Sequence, residues 1–159
     1  MKNIYEILKS LDIAYDLYEH PAVFTVEEAD LVCGKIPGKQ AKNLFLTNEK
    51  GNRHFLVTIA HEKRADLAKL AALFGEKRLR FASPERLQKH LGLTPGSVSP
   101  LGLINDTAAA VEFFIDRDLI EQGKIYVHPN INTATLGIAI GDFKKILASS
   151  GHDMKILET

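Results

Sequence analysis

A lysine–asparagine pair supplies the first residues of this sequence that could take part in chemistry. Lys42 and Asn43 precede the letters LFLT, an apolar run typical of a buried strand. A lysine in this position can be a solvated strand end. It can also be a point charge at the mouth of a pocket, where it would hold a phosphate or a carboxylate. The spacing alone leaves both interpretations open.

A loop rich in proline and glycine, LTPGSVSPLG, occupies residues 93–102 between a helical pattern and a strand pattern. It is too short and too apolar, with Leu93, Val98 and Leu101, to be a flexible linker between domains. One interpretation is a rigid crossover between two elements. The other is a backbone cradle, since glycine lets a ligand approach the main chain and proline fixes the loop before binding.

A histidine followed by a polar turn forms the third candidate segment, YVHPNINTATLGI. His128 ends a predicted strand, Pro129 and Asn130 turn the chain, and Thr133 and Thr135 lie just before the next strand. Asn132 adds a further polar group between them. These side chains either satisfy the turn's own backbone groups or face a substrate.

The common catalytic and cofactor-binding signatures are absent from the sequence. It contains no GxGxxG after a strand, no GxxxxGK[ST], no HExxH and no GxSxG. None of the six histidines pair four residues apart on a helix, and the single cysteine, Cys33, excludes an internal disulfide or a cysteine zinc cage. We therefore expect no metal and no cofactor. A hydrolase here would depend on binding, backbone donors or the substrate's own groups.

Composition indicates one globular domain spanning residues 1–159, with 45% hydrophobic and 25% charged residues. Twenty Lys and Arg balance twenty Asp and Glu, which argues against general binding by phosphate neutralisation but allows a local basic patch. The candidates for that patch, which can equally be solvated surface charges, are Lys35, Lys39, Lys42, Lys63 and Arg64. With no signal peptide and no apolar run of about 20 residues, we expect a cytoplasmic protein.

The elements that must position these residues form an irregular series of strands and helices. Hydrophobic periodicity and capping residues predict helices at 3–11, from Thr25, around 67–74, at 84–91 and from 142. Alternation and β-favouring residues predict strands at 13–17, 41–48, 53–60, 78–82, 108–116, 124–128, 133–140 and 154–158. The pair 41–48 and 53–60 is a hairpin. Such interleaving favours a mixed sheet with helices packed on it.

Four motifs resemble those of the YbaK/prolyl-tRNA synthetase-associated editing-domain superfamily, and most closely its PrdX (ProX-like) branch. YEHPAVFTVEEA is similar to the HP-x-[VY]-T-x-E-E-A opening of that family, and AKNLFL resembles its lysine-bearing strand. Gly96–Pro100 fits its GxxxP loop, and HPNINTATLGI resembles its HP-x-x-N-T-A-T stretch. The motifs occur in the family's order over essentially the whole chain.

The resemblance implies a fold and an activity that composition does not show. The implied fold is α/β, with a mixed, partly barrel-like sheet flanked by helices. The implied activity is cytoplasmic hydrolysis of wrong amino acids from proline tRNA, associated with alanine in the PrdX-like branch and with cysteine in the YbaK branch. The implied partners are the acceptor end of tRNA(Pro) and, as a further candidate, prolyl-tRNA synthetase.

The resemblance also implies site residues. Lys42 would hold the 3′ end of the tRNA, and the loop containing Gly96 would present backbone N–H groups near the ester carbonyl. Water would attack the ester with help from the terminal ribose hydroxyl, in a pocket small enough to exclude proline. Further residues would bind the substrate: Asn43, Ser97, Val98, Ser99, Pro100, His128 and Thr133. The alternatives are a Cys-tRNA(Pro) deacylase and a non-catalytic module that binds tRNA or a synthetase.

Overall fold

The computed structural model describes residues 3–21, 36 and 38–158, and all structural statements below concern this part of the chain. Its helices are α1 (Ile4–Ser10), α2 (Leu67–Phe74), α3 (Pro84–Leu91), a 3-10 helix (Pro100–Asn105), α4 (Arg117–Glu121) and α5 (Ile140–Ser149). Its strands are β1 (Asp16–Glu19), β2 (Ala41–Asn48), β3 (His54–Ala60), β4 (Leu79–Phe81), β5 (Val111–Asp116), β6 (Lys124–Val127), β7 (Ala134–Ala139) and β8 (Lys155–Leu157).

A five-stranded mixed sheet lies at the centre, in the order β4-β2-β3-β5-β8. The predicted hairpin is its antiparallel β2–β3 pair, while β5 joins β3 and β8 joins β5 in parallel. Every residue of β3 is buried, as expected for a strand covered on both faces. One face packs against α2. The other packs on a larger core that contains residues from α1, α3, the 3-10 helix and α5.

A second, three-stranded antiparallel sheet has the order β1-β7-β6. Residues of β6 and β7 join the larger core: Ile125, Val127, Leu136 and Ile138. The mixed α/β class with flanking helices is therefore confirmed. The described strands form two open sheets, and these strands do not close into a barrel.

The helix ends follow the predicted capping residues. The Asn3 side chain accepts from the N–H groups of Tyr5 and Glu6, and Ser83 Oγ accepts from the N–H of Arg86. Gly75 and Gly92 end their helices in the left-handed conformation. No helix in the described ranges is long and apolar enough to cross a membrane.

Several predicted boundaries were wrong. The strand predicted from 108 begins at Val111, the helix predicted from 142 begins at Ile140, and α4 was not predicted. The strand predicted at 13–17 begins only at Asp16, because Ile13 instead donates its N–H to Leu8 O at the end of α1. The loop after α3 was predicted to run to residue 102, but it becomes a 3-10 helix at Pro100. The helix predicted from Thr25 and the cysteine at 33 lie outside the described residues.

Candidate functional site

Asn43 joins the start of β2 to the loop at 93–99. Its Nδ2 donates to the carbonyl oxygen of Val98 at 3.2 Å, and its Oδ1 accepts from the hydroxyl of Thr58 at 2.6 Å. Asn43 and Thr58 are direct partners in the β2–β3 register, so the hairpin itself sets this contact. The side-chain amide therefore links the loop to the central sheet.

Gly96 lies at the exposed tip of the same loop. Its φ of +90° is a conformation that residues with a Cβ rarely adopt. The N–H of Ser97 donates to Thr94 O at 3.0 Å and closes the turn, whereas the N–H groups of Gly96 and Val98 have no acceptor among the described residues. Unpaired backbone donors of this kind can stabilise a developing negative charge.

Ser99 fixes the far end of the loop. Its buried hydroxyl donates to the carbonyl oxygen of His128 at 2.5 Å and accepts from the N–H of Leu101 at 3.2 Å. Pro100, also buried, is the first residue of the 3-10 helix, where a missing N–H costs nothing. Because the Ser99 hydroxyl proton is held by a carbonyl, no base is placed to activate this serine as a nucleophile.

His128 follows β6 and presents a neutral imidazole. Its Nδ1 lies 3.0 Å from Ala134 O, and since a carbonyl only accepts, Nδ1 carries the proton and Nε2 keeps its lone pair. Burial lowers the pKa of His128 from its ordinary value; the Ala134 carbonyl opposes this shift and the charge of nearby His20 adds to it. At neutral pH the ring therefore offers an acceptor nitrogen.

His20, to which the sequence assigned no role, packs against His128. The two ring centroids are 6.1 Å apart in an edge-to-face arrangement. His20 Nε2 lies 2.9 Å from Thr135 Oγ1, and the backbone N–H of His20 donates to Thr133 O at 3.0 Å. Both histidines precede a proline in the sequence, and this repeated HP dipeptide was the signal that could have paired them.

Asn130 ties the turn after β6 to the 3-10 helix. It has a φ of +64°, a conformation that asparagine tolerates better than most residues, and its Nδ2 donates to Leu101 O at 3.4 Å. Asn130 was predicted only to turn the chain, whereas Thr133 was predicted to bind the substrate. The Thr133 side chain is exposed, and its carbonyl accepts from the backbone N–H of His20.

Lys42 lies on the other face of β2 from Asn43 and the loop. The β2–β3 register places Lys42 opposite Ile59, and strand alternation puts its side chain on the face of Leu44, which packs towards α2. Asn43 lies on the opposite face, with the loop. The lysine is half-buried, and no described side chain forms an ion pair with it.

The candidate site combines backbone donors and a neutral histidine, with Lys42 on the opposite face of β2, and its described residues include no nucleophile–base pair. Within the described ranges, no three His, Cys, Asp or Glu side chains group closely enough to hold a metal ion. Such an arrangement can stabilise an oxyanion and position a reactive ester.

Comparison with known proteins assigns the chain to a family. Residues 20–146 match the model of the aminoacyl-tRNA editing domain. The chain is 40% identical over 151 residues to the prolyl-tRNA editing protein ProX of Acetoanaerobium sticklandii, covering 95% of this chain and 92% of that protein. It is 38% identical over 158 residues to the prolyl-tRNA synthetase associated domain-containing protein 1 of Danio rerio, covering 98% and 85%.

A solved structure shares the fold. A crystal structure described as a candidate trans-editing enzyme for prolyl-tRNA synthetase superimposes with a TM-score of 0.70 at 24% identity, over 100% of this chain and 98% of that one. The resemblance of the four motifs, the match over residues 20–146 and the identity to ProX agree. The chain belongs to the aminoacyl-tRNA editing domain family.

Proposed function

We propose that this protein is a trans-editing hydrolase that removes alanine from mischarged tRNA(Pro). The observation that carries the proposal is the loop at Gly96. It is held at Val98 by Asn43 and at Ser99 by the carbonyl of His128, a neutral histidine, and its Gly96 and Val98 N–H groups have no acceptor among the described residues. The similarity to a protein named for prolyl-tRNA editing supplies the substrate class.

The reaction needs no protein nucleophile because the aminoacyl ester is already reactive. A water oxygen adds to the ester carbonyl carbon, and the N–H groups of Gly96 and Val98 stabilise the resulting oxyanion. The bond between that carbon and the ribose oxygen then breaks, and the water's proton passes to the leaving oxygen through the neighbouring ribose hydroxyl. The products are free alanine and tRNA with an intact 3′ ribose.

The remaining site residues orient the substrate. Nε2 of His128 accepts a hydrogen bond from the aminoacyl group, and the solvent-accessible side chains of Ser97 and Thr133 contact the substrate. Asn43 and Ser99 act mainly by holding the loop, while Lys42 attracts the phosphates of the 3′ end. Pro100 keeps the loop's exit fixed before binding.

Discrimination against proline is steric in this proposal. A pocket that admits alanine clashes with the proline ring. Such a clash can give a larger difference in binding free energy than the roughly 1–3 kcal/mol that one methylene contributes in an accommodating pocket. The acceptor end of tRNA(Pro) is the partner, and prolyl-tRNA synthetase, which makes the mischarged product, is a second one.

We expect the native protein to deacylate Ala-tRNA(Pro) at least tenfold faster than Pro-tRNA(Pro), and Lys42→Ala to lower kcat/KM at least tenfold. The reason is the loss of a point charge that holds the RNA end. Release of labelled amino acid measures both effects. Lys144→Ala, which removes an exposed lysine on α5, is the matched control and should resemble the native protein.

The alternatives are separated in the same assay by adding Cys-tRNA(Pro) and Ser-tRNA(Pro). Cleavage of the cysteinyl ester alone would replace alanine by cysteine as the substrate. An inactive native protein that still binds tRNA would identify a non-catalytic module.

The pH profile should report on His128. Its folded pKa lies below 6.5, so after subtraction of hydroxide-driven hydrolysis the acid limb of kcat/KM should have its midpoint below pH 6.5. Below the midpoint, protonation removes the Nε2 acceptor and the rate declines. His128→Gln should lack this acid limb. An acid limb with its midpoint above pH 6.5, or the same limb in His128→Gln, would contradict the assignment.

A further inference from the structure

The first residues of β7 have a histidine on either side. β1 and β6 flank β7 in the three-stranded sheet, and His20 follows β1 while His128 follows β6. The register pairs Tyr18 of β1 with Thr135 of β7, and strand alternation then puts His20 on the same face as the Thr135 side chain. Both histidines can therefore act on the same few residues of β7.

His20 holds β7 at two alternate residues. Its backbone N–H donates to Thr133 O at 3.0 Å, and its Nε2 lies 2.9 Å from Thr135 Oγ1. Its Nδ1 lies 2.9 Å from Pro21 O. Because a carbonyl only accepts, Nδ1 carries the proton, and Nε2 of the neutral ring accepts from the Thr135 hydroxyl. Thr135 is only 1% exposed, so the position of its side chain depends on this contact.

Ala134, the residue between these two contacts, fixes the ring of His128. Its carbonyl oxygen lies 3.0 Å from His128 Nδ1. Successive carbonyl groups of an extended strand point to opposite edges, so Thr133 O faces β1 while Ala134 O faces β6. A shift of Thr133 or Thr135 would carry the Ala134 carbonyl with it. The contacts of His20 thus determine where the acceptor of the His128 proton lies.

We infer that His20 and Thr135 are positioning residues that keep His128 in its Nδ1–H tautomer. They act through the Ala134 carbonyl and need no contact with the substrate. The hydrogen bonds of a histidine ring decide which of its nitrogens carries the proton. A free imidazole side chain favours the proton on Nε2, so a displaced Ala134 carbonyl would convert the Nε2 acceptor into a donor. The use of that acceptor rests on the proposed function, whereas the tautomer itself does not.

The test compares Thr135→Val, which keeps the shape of the side chain but removes the hydroxyl, with Thr135→Ser, which keeps the hydroxyl. Nitrogen NMR of protein with isotope-labelled histidine distinguishes the tautomers by the shift of the unprotonated nitrogen and its couplings to the ring protons. At pH 8 the His128 ring is neutral, because burial lowers its pKa below the ordinary value of 6.5. Its signals are those that are missing in His128→Gln.

The native protein and Thr135→Ser should show the Nδ1–H form of His128. Thr135→Val should shift the tautomer ratio about fivefold towards Nε2–H, as expected for the loss of one hydrogen bond. His20→Leu removes the other partner of the same bond, so it should have the same effect, and the double variant should resemble each single one. An Nε2–H ring in the native protein, or an unchanged ratio in Thr135→Val, would overturn the inference.

Thr47→Val is the matched control. Thr47 is also a strand threonine that is 1% exposed, and its hydroxyl donates to Arg53 O at 3.0 Å, at the far end of β2 from Asn43. This variant should lose a comparable free energy of unfolding in urea but keep the native tautomer of His128. An equal change of tautomer in the control would make the effect a general result of losing a buried hydroxyl, and the inference would fail.

Kinetics with Ala-tRNA(Pro) connect the tautomer to the proposed reaction. Thr135→Val should lower kcat about fivefold with little change in KM, since no contact with the RNA is lost, and Thr135→Ser should resemble the native protein. A lower kcat in Thr135→Val with the native tautomer would indicate direct substrate contact and overturn the positioning role. If the native protein hydrolyses no ester, the proposed function fails while the NMR comparison still decides this inference.

Discussion

Gly96→Val is expected to lower kcat for Ala-tRNA(Pro) at least a hundredfold while the protein stays folded. The φ of +90° at Gly96 disfavours any residue with a Cβ and a β-branched one most of all. The variant would move the tip towards negative φ and turn the N–H groups of Gly96 and Val98 away from the ester oxygen. Loss of one such donor typically costs a factor of about 10² to 10³.

The control for backbone strain is Gly75→Val. Gly75 has a φ of +73° at the end of α2, and a Cβ built there meets nothing within 4 Å. In both variants the forced backbone conformation should lower the free energy of unfolding by roughly 1–3 kcal/mol, measured by urea denaturation. Only Gly96→Val should lose kcat. Full activity in Gly96→Val, or an equal loss in both, would return the loop to the role of a rigid crossover.

Local sequence signals predicted most of the helices and strands, because capping residues, turn residues and hydrophobic periodicity determine where these elements form. The hairpin of β2 and β3 followed from two β-favouring runs around a polar turn, and α3 followed from Ser83, Pro84 and Gly92. The missed features depend on tertiary contacts. The 3-10 helix at Pro100 is stabilised by a serine cap and by burial of its residues in the core.

The site was predictable in its parts but not in its geometry. Lys42 and Asn43 are neighbours in the sequence, yet strand alternation places their side chains on opposite faces of β2. Because both faces of β2 are apolar, the sequence pattern does not indicate which face the loop contacts. The contact between His20 and His128 joins β1 to the end of β6, more than a hundred residues apart. No local period reports such a contact.

Asn43→Asp is expected to lower kcat tenfold or more, with a smaller effect on KM for tRNA. Aspartate can still accept from the Thr58 hydroxyl but cannot donate to Val98 O, and its charge would face that carbonyl. The loss of this hydrogen bond, worth about 1 kcal/mol, together with the added repulsion would release the loop that carries the N–H donors. Steady-state kinetics with Ala-tRNA(Pro) and hydrogen exchange at residues 96–98 measure the two consequences.

Thr58 separates a positioning role of Asn43 from direct substrate contact. Thr58→Val removes the hydroxyl that orients the amide but leaves Asn43 itself in place, while Thr58→Ser keeps the hydroxyl. If Asn43 acts by holding the loop, Thr58→Val should lower kcat several-fold and speed exchange at 96–98, and Thr58→Ser should resemble the native protein. If Asn43 instead contacts the substrate, Thr58→Val should leave the loop's exchange unchanged and Asn43→Asp should act on KM. Because Thr58 is fully buried beneath Asn43, it reaches the ester only through this amide, and an effect of Thr58→Val on kcat would therefore report the position of the loop.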